Sequence, residues 1–402
     1  MKILVFNCGS SSIKFKLIDM PERKVLAKGK VECIGEVESA YVCECNGRQR
    51  SEALSIADHE TAIQCILRAL TDGTTKMLNS LEEIGAVGHR VVHGGEAFTG
   101  SVLINEEVVA SIEQVADLAP LHNPPNLFGI RIAQQELPKI PQVACFDTAF
   151  HATIPEVSFI YGLPYDLYEK YGVRRYGFHG TSHRWVARRA ATLLGKQKYD
   201  INCITCHLGN GCSITAVKNG RSVDTSMGLT PLEGVVMGTR SGNIDPGILF
   251  YLADKGYDIG ALNDMCNKQS GLLGISGTSN DMRILMEKTQ QGDDRAALAV
   301  DVFCYRIKKY IGMYAAVLGQ LDAVVFTGGI GENAISIREQ IGIGLEALGI
   351  GLDVQRNQQA AGIESDISCP ESRVKLLVIP TDEEQAIAGD THELAVQNIA
   401  SV

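Results

Sequence analysis

Residues 2–19 read KILVFNCGSSSIKFKLID. The apolar run KILVF marks a buried strand, and IKFKLID alternates as a half-buried strand does. NCGSSS between them is a Gly/Ser/Asn turn, so the segment is expected to form a hairpin. Residues 204–217, ITCHLGNGCSITAV, follow the same plan: apolar strand, polar residue, glycine two positions later, second strand. Asn7 aligns with His207 and Gly9 with Gly209, an offset of 200 residues in a chain of 402. That spacing points to two related domains, each opening with a glycine hairpin. Chance remains the alternative, because glycine hairpins are common.

Outward from these hairpins the chain alternates strands and helices, the pattern of an α/β protein. Strands are expected at 86–92, 142–146, 202–206 and 323–326. Helices are expected at 58–70 with Asp58 as N-cap, at 126–137 capped by Asn126, at 182–194, at 293–318 and from 336. The last helix opens with IPTDEE, where Thr381 and Glu384 have capping-box spacing. A boundary is placed near residue 150, after the strand that ends in Asp147. Dense Pro/Gly punctuation at 120–126 and 231–247 marks loops that build a site.

A chain of 402 residues suggests two or three domains. Hydrophobic residues at 45% and charged residues at 21% describe an ordinary soluble protein and exclude wholesale disorder. With 37 basic and 47 acidic residues the net charge is −10, which argues against a nucleic-acid or basic membrane-surface protein. A site for an anionic substrate must therefore gather its own Arg, Lys and His. No stretch reaches the ~20 apolar residues of a membrane span, and Ile3–Phe6 is too short for a signal-peptide core. The twelve scattered cysteines read as free thiols of a cytoplasmic protein. Cys203 and Cys206 have C-x-x-C spacing, but in a buried strand, and no second pair completes a zinc site.

Several groups could carry chemistry. GIGENA, residues 329–334, follows a strand, precedes a helix and fits G-x-G-x-x-A, with Asp353 about 20 residues on. This keeps a nucleotide-dependent oxidoreductase open, although only roughly 70 residues follow, too few for a complete βαβαβ unit and a second domain. No P-loop occurs, and His89-Arg90 continues to Val91 rather than to the Asp of a protein-kinase loop. His179 and His183 have H-x-x-x-H spacing, but Gly180 stands where a zincin needs Glu. Three glycine loops remain. NCGSSSIK offers Asn7, Ser10, Ser12 and Lys14, HLGNG offers His207 and Asn210, and TGGIGEN is the third. Glycine costs backbone entropy, so three such loops suggest close approach of backbone to an anionic ligand. Arg90, His122, His179 and Arg240 lie in similar turn-rich surroundings. Asp147 ends a strand, where α/β proteins bind ligands. Glu383 falls in the first turn of the last helix, where the macrodipole favours an acid in any case.

Taken together, NCGSSSIKF, GHRVVHGG, ACFDTAFH, YGFHGTSH, HLGNGCS, DTSMGLTPLEGVVMGTRSGNIDP, TGGIGEN and IPTDEE resemble the acetate kinase family from residue 3 to about 390. The resemblance implies the superfamily of acetate and sugar kinases, heat-shock chaperones and actin. It implies an α/β chain of two domains with similar duplicated topology and the nucleotide in the interdomain cleft. Residues 1–150 plus 382–402 would form the substrate and Mg²⁺ domain, with the last helix returning to it, and 151–381 the nucleotide-binding domain.

The resemblance also implies roles. Asn7 and Glu383 would hold Mg²⁺, for which Mn²⁺ would substitute. Lys14, with Ser10 and Ser12, would reach the ATP phosphates. Arg90 would hold the substrate carboxylate near His122, and Val92, Leu121, Phe178 and Pro231 would form a methyl pocket. Asp147 would be the catalytic carboxylate, and His179 and Arg240 would stabilise the transferring phosphoryl group. ATP would bind at His207, Leu208, Gly209, Asn210 and Gly211, at Asp281, Met282 and Arg283, and at Gly329, Ile330, Gly331, Glu332 and Asn333. Two departures are visible: Asn243 stands where Asp is expected, and Asp382 where Asn is expected. The implied reaction is reversible phosphoryl transfer from ATP to acetate, giving acetyl phosphate and ADP, in a cytoplasmic homodimer without nucleic-acid or membrane partners. A propionate kinase on the same scaffold and an actin- or chaperone-type ATP switch stand as alternatives beside the oxidoreductase.

Overall fold

In the computed structural model, which describes residues 1–400 except 37, 46, 121 and 198, both glycine hairpins are present. The first pairs β1 (Lys2–Cys8) with β2 (Ser12–Asp19), Asn7 opposite Lys14 and Cys8 opposite Ile13. After β2 the antiparallel run continues through β3 (Lys24–Glu32), β4 (Ser39–Cys45) and β5 (Arg48–Leu54). On its other edge β1 pairs in parallel with β6 (Ile84–Val91), and β6 pairs in parallel with β8 (Gln142–Phe146), which is flanked by β7 (Val102–Leu103). The resulting order is β5-β4-β3-β2-β1-β6-β8-β7.

The second sheet repeats the centre of the first. In it β9 (Cys203–Leu208) pairs antiparallel with β10 (Cys212–Lys218), which pairs with β11 (Arg221–Thr225). On the other side β9 runs parallel to β12 (Ala323–Thr327), and β12 to β14 (Lys375–Val378), with β13 (Ser365–Asp366) at the edge. Thus β3-β2-β1-β6-β8 and β11-β10-β9-β12-β14 share order and strand direction. The duplication read from the hairpins is a duplication of topology. The chain divides into two units, one of Met1–Ala152 with the segment from Asp382 on, the other Thr153–Thr381.

Burial explains the unbroken apolar run of β1. Leu4 and Phe6 face one layer, with Ile63 and Ile66 of the helix His59–Thr71 and Ile132 and Ala133 of the helix Asn123–Glu136. Ile3 and Val5 face the other, against Ile387 and Ala388 of the helix Glu383–Ala400. A strand covered on both faces has no use for alternation. The last helix packs so closely that a Cβ at Gly88 would come within 2.4 Å of Thr391 Oγ1 and 2.7 Å of Ile387 Cγ2.

Several expectations are corrected. The helix expected at 126–137 is Asn123–Glu136, with Pro124 and Pro125 in its first turn, where a missing N–H costs nothing. Asn126 is therefore not a cap. Its Oδ1 accepts from Val92 N at 3.0 Å and its Nδ2 donates to Cys8 O at 2.6 Å, tying the ends of β1 and β6 together. The helix expected at 182–194 is Gly180–Leu193, preceded by His179 in the left-handed region at φ 56°. TGGIGEN is not an open loop, because Gly328–Asn333 is a short helix. It starts at Gly328, φ +76°, where a Cβ would come within 2.7 Å of Leu208 O. Thr381 does not cap the last helix. Asp382 Oδ1 does, accepting from Gln385 N at 3.0 Å. Asp353, the acid of the dinucleotide reading, caps the helix Val354–Gln358 instead.

Arg338 holds the Gly328–Asn333 helix in place. It is fully buried, and its guanidinium donates to Gly331 O, Glu332 O, Asn357 Oδ1 and Asn357 O at 2.8–3.2 Å. Methionine would fill the space and leave those acceptors unmet. Arg338→Met is expected to cost about 3 kcal/mol, since a lost buried partner costs ~1–3 kcal/mol for each group stranded. In a unit of this size that lowers Tm by roughly 6–12 °C, measurable by calorimetry.

Candidate active site

The first unit gathers an acidic cluster around one arginine. Arg90 lies in β6, and Asp147 follows β8, its parallel neighbour, so the two side chains leave the same end of the sheet. Arg90 holds Asp147 with two bonds, Nε to Oδ1 at 3.1 Å and Nη2 to Oδ2 at 2.5 Å. Its Nη1 donates to Asn7 Oδ1 at 3.3 Å, and its Nε lies 3.7 Å from Glu383 Oε2. The fork expected to grip a substrate carboxylate thus already grips Asp147, which is 1% exposed. Burial pushes the Glu383 carboxyl up to about 7; Arg90 opposes the rise, and Asp147 and Glu384 add to it. Lys14 stands opposite Asn7 and is exposed, as is Ser10, while Ser12 is half-buried.

The Asp382 departure finds its partner here. Lys16 Nζ lies 2.8 Å from Asp382 Oδ1 and 3.3 Å from Glu384 Oε2, so the added negative charge is paired. Asn243 is likewise used as an amide. Its Oδ1 accepts from Gly234 N and its Nδ2 donates to Tyr310 OH, both at 2.8 Å. A carboxylate could not donate that second bond and would have to accept from the tyrosine hydroxyl instead.

The second unit sets two histidines beside an arginine. The rings of His179 and His207 stack at 4.4 Å. A Cβ placed on Gly211 would lie 3.5 Å from both His179 Nε2 and Arg240 Nη1, so both groups border one point above that glycine. Arg240 is half-buried; its Nη1 reaches Pro231 O at 3.4 Å and Met237 Sδ at 3.8 Å. Among the described residues no carboxylate lies within ion-pair distance of it, and burial draws its pKa down.

A cavity of 640 Å³ opens in the same unit, lined by Gly209, Asn210, Asn280, Asp281, Met282, Arg283, Met286, Gly329, Ile330, Asn333 and Ala334. Eight of the thirteen positions expected to bind ATP line it, including Asn210, Arg283 and Asn333. His207, Leu208, Gly211, Gly331 and Glu332 do not. Glu332 acts as a brace, its Oε1 accepting from Gly328 N at 2.9 Å and Thr381 N at 3.0 Å. Of the expected methyl pocket, Val92 is buried in the first unit, where His122 is half-buried; Phe178 is buried and Pro231 half-buried in the second. Leu121 lies outside the described residues.

Some residues of the site escaped the sequence. Ser213 Oγ lies 2.8 Å from His179 Nδ1 and 2.7 Å from His183 Nε2, and His183 Nδ1 lies 2.7 Å from Thr205 Oγ1. Ser182 Oγ lies 2.8 Å from His207 Nδ1 and accepts from Thr381 Oγ1 at 2.8 Å. The one available signal was the spacing of His179 and His183, a single helical turn.

The family model of the acetokinase family matches residues 2–389. An acetate kinase of Carboxydothermus hydrogenoformans is 53% identical over 398 residues, covering 98% of this chain and all of that one. The crystal structure of Porphyromonas gingivalis acetate kinase superposes with a TM-score of 0.94 at 48% identity, covering 98% and 99% of the two chains. A propionate kinase from Francisella tularensis superposes with a TM-score of 0.92 at 46% identity over the same shares.

The acidic cluster makes a stability prediction. Glu383 is raised on folding, so the folded chain binds more protons than the unfolded one between the ordinary carboxylate range and about pH 7. The stability this supplies is present at low pH and lost as pH rises through about 7. Metal-free protein is expected to lose roughly 2–3 kcal/mol from this group between pH 5 and 8. Glu383→Gln is expected to flatten that slope in urea unfolding, and an unchanged slope would remove Glu383 from the cluster's electrostatics.

Proposed function

Since the chain belongs to the acetokinase family and is a phosphotransferase acting on acetate with ATP and ADP as its nucleotides, we propose how its residues divide the reaction. The observation that carries the proposal is Arg240, a half-buried cation with no carboxylate partner among the described residues, facing the same point as His179 Nε2. Such a pair suits the charge of a phosphoryl group in flight. The acceptor needs no general base. A small carboxylic acid has a pKa near that of Glu, ~4.3, and is a carboxylate at pH 7. The obstacle is like charge meeting like charge, and phosphoryl transfer is mostly positioning and charge stabilisation.

In this reading the first unit serves acceptor and metal, and the second serves the nucleotide. Arg90 steers the acceptor carboxylate; Val92, Leu121 and His122 are assigned to the acceptor from this unit, and Phe178 and Pro231 from the second. Asp147, held bidentate by Arg90, orients rather than takes a proton. The 640 Å³ cavity receives the nucleotide, with Asn210, Asp281–Arg283, Gly329, Ile330 and Asn333 around it. Lys14, Ser10 and Ser12 are assigned to its phosphates.

A divalent cation fits the first cluster by its chemistry. Asn7 and Glu383 are hard oxygen donors, and Glu383 stands raised beside two other carboxylates, a position a cation relieves. Among the described residues no group of three His, Cys, Asp or Glu side chains is set to hold a metal, so an ion at Asn7 and Glu383 would need waters and substrate oxygens as its further ligands. Bound there, Mg²⁺ or Mn²⁺ would neutralise phosphate charge.

Two further assignments belong to the proposal. The twelve cysteines are free thiols, which supports a reducing, cytoplasmic setting, and among the described residues no helix is long and apolar enough to cross a membrane. A homodimer is supported by the helix Gly247–Asp254, which has no buried residue and leaves Phe250 74% and Tyr251 61% exposed.

Protein given ATP, Mg²⁺, acetate and hydroxylamine is expected to yield acetyl hydroxamate, and to stop with EDTA. Arg240→Ala is expected to lower kcat at least ~10²-fold, the scale of one lost charge-stabilising donor; a near-normal rate would remove Arg240 from the transfer. The propionate kinase likeness makes propionate the competing acceptor. One extra methylene in an apolar pocket is worth ~10–200-fold, so propionate should be used less well than acetate, and a higher kcat/KM for propionate would reverse the acceptor assignment. Separately, Phe250→Asp is expected to shift the mass measured by light scattering from two chains to one, and an unmoved dimer would place the interface elsewhere.

A further inference from the structure

The H-x-x-x-H pair, set aside as a metal site, has a different use. Three hydrogen bonds run in line from Thr205 Oγ1 to His183 Nδ1, from His183 Nε2 to Ser213 Oγ, and from Ser213 Oγ to His179 Nδ1, at 2.7, 2.7 and 2.8 Å. Thr205, His183 and Ser213 are all 0% exposed. Bulk solvent does not reach these three side chains, so the protons along the line are ordered by the partners beside them.

Their direction follows from Thr205. Among the described residues its hydroxyl makes one side-chain hydrogen bond, to His183 Nδ1. A hydroxyl carries one proton, and leaving that proton buried without an acceptor costs ~1–3 kcal/mol. Thr205 therefore donates to His183 Nδ1. That nitrogen then bears no proton of its own, and His183 carries its proton on Nε2, which donates to Ser213 Oγ. Ser213 has its own single proton left to give, and its other neighbour is His179 Nδ1. His179 thus accepts at Nδ1 and carries its proton on Nε2, the nitrogen that shares the space over Gly211 with Arg240 Nη1.

We infer that Thr205, His183 and Ser213 are positioning residues that hold His179 in its Nε2–H tautomer, so that the neutral imidazole is already a hydrogen-bond donor toward the phosphoryl group. The inference rests on the proposed role of His179. A phosphoryl oxygen can only accept, and the other tautomer would present a lone pair to it. With the line intact, His179 need not become an imidazolium to serve, and its ring is fixed by the same bond that selects the tautomer.

The test uses the full chain labelled with ¹⁵N-histidine, its His179 signals identified by their loss in His179→Asn. In the unmodified protein the proton of His179 is expected on Nε2, and a proton on Nδ1 overturns the inference. Kinetics supply the second arm. Thr205→Val keeps the shape and removes the hydroxyl, and is expected to lower kcat about tenfold or more while leaving KM for ATP and for acetate within about threefold. Thr205→Ser keeps the hydroxyl and is expected to retain the unmodified kcat. A purely steric role for Thr205 gives the opposite order, with Ser worse than Val, and that order, or a full rate in Thr205→Val, overturns the inference. Full turnover in His179→Ala would instead defeat the role of His179 in transfer, whatever its tautomer.

Discussion

Everything in each unit hangs on one central strand paired antiparallel on one side and parallel on the other. In the first unit β1 takes β2 through a tight turn and β6 through a long crossover, and in the second β9 takes β10 and β12 in the same way. A parallel partner needs a crossover that lies on a face of the sheet, so such a strand is covered on both sides. The price is a run of apolar residues with no polar face, and the return is a strand end fixed from every direction. Asn7 and His207 stand at those ends. A site that depends on charge placed within fractions of an ångström gains from being attached to the least movable backbone of its unit.

Much of this was legible. Apolar runs ended by glycine turns marked β1, β2, β9 and β10, and the shared spacing of Asn7 and His207 marked the repeat. The long helix expected at 293–318 is Asp294–Leu318, with Asp293 as its N-cap. What misled were residues whose local preference lost to a distant partner. Asn126 has the side chain of a cap and the position of a clamp, because Val92 N and Cys8 O both need it. Thr381 looked like half of a capping box and instead bonds Ser182. GGIGEN reads as a glycine loop, yet four carbonyl and amide oxygens around Arg338 hold the region as helix and turn.

The candidate site divides in the same manner. Charged residues in glycine-rich surroundings announce themselves, because both the charge and the turn are unusual. Serines and threonines inside strands do not, and Ser213 and Thr205 are two of many. Only the fold, which sets β9 beside β10 and lays the Gly180 helix against β9, lines them up with the histidines. The Lys16–Asp382 pair shows the same limit from the other side. An acid that looks like excess charge in the chain is neutralised by a lysine 366 residues away.

The return of the last helix to the first sheet has a consequence for how the protein is made. Ile3 and Val5 are covered by Ile387 and Ala388, which leave the ribosome some 380 residues later. At about 5–20 residues per second that interval is roughly 20–80 s. By the end of it the second unit, continuous from Thr153 to Thr381, has all of its own chain, while the first still has one bare apolar face. The part of the protein translated first is therefore the part completed last, and until then its uncovered sheet is a surface for chaperones to shield.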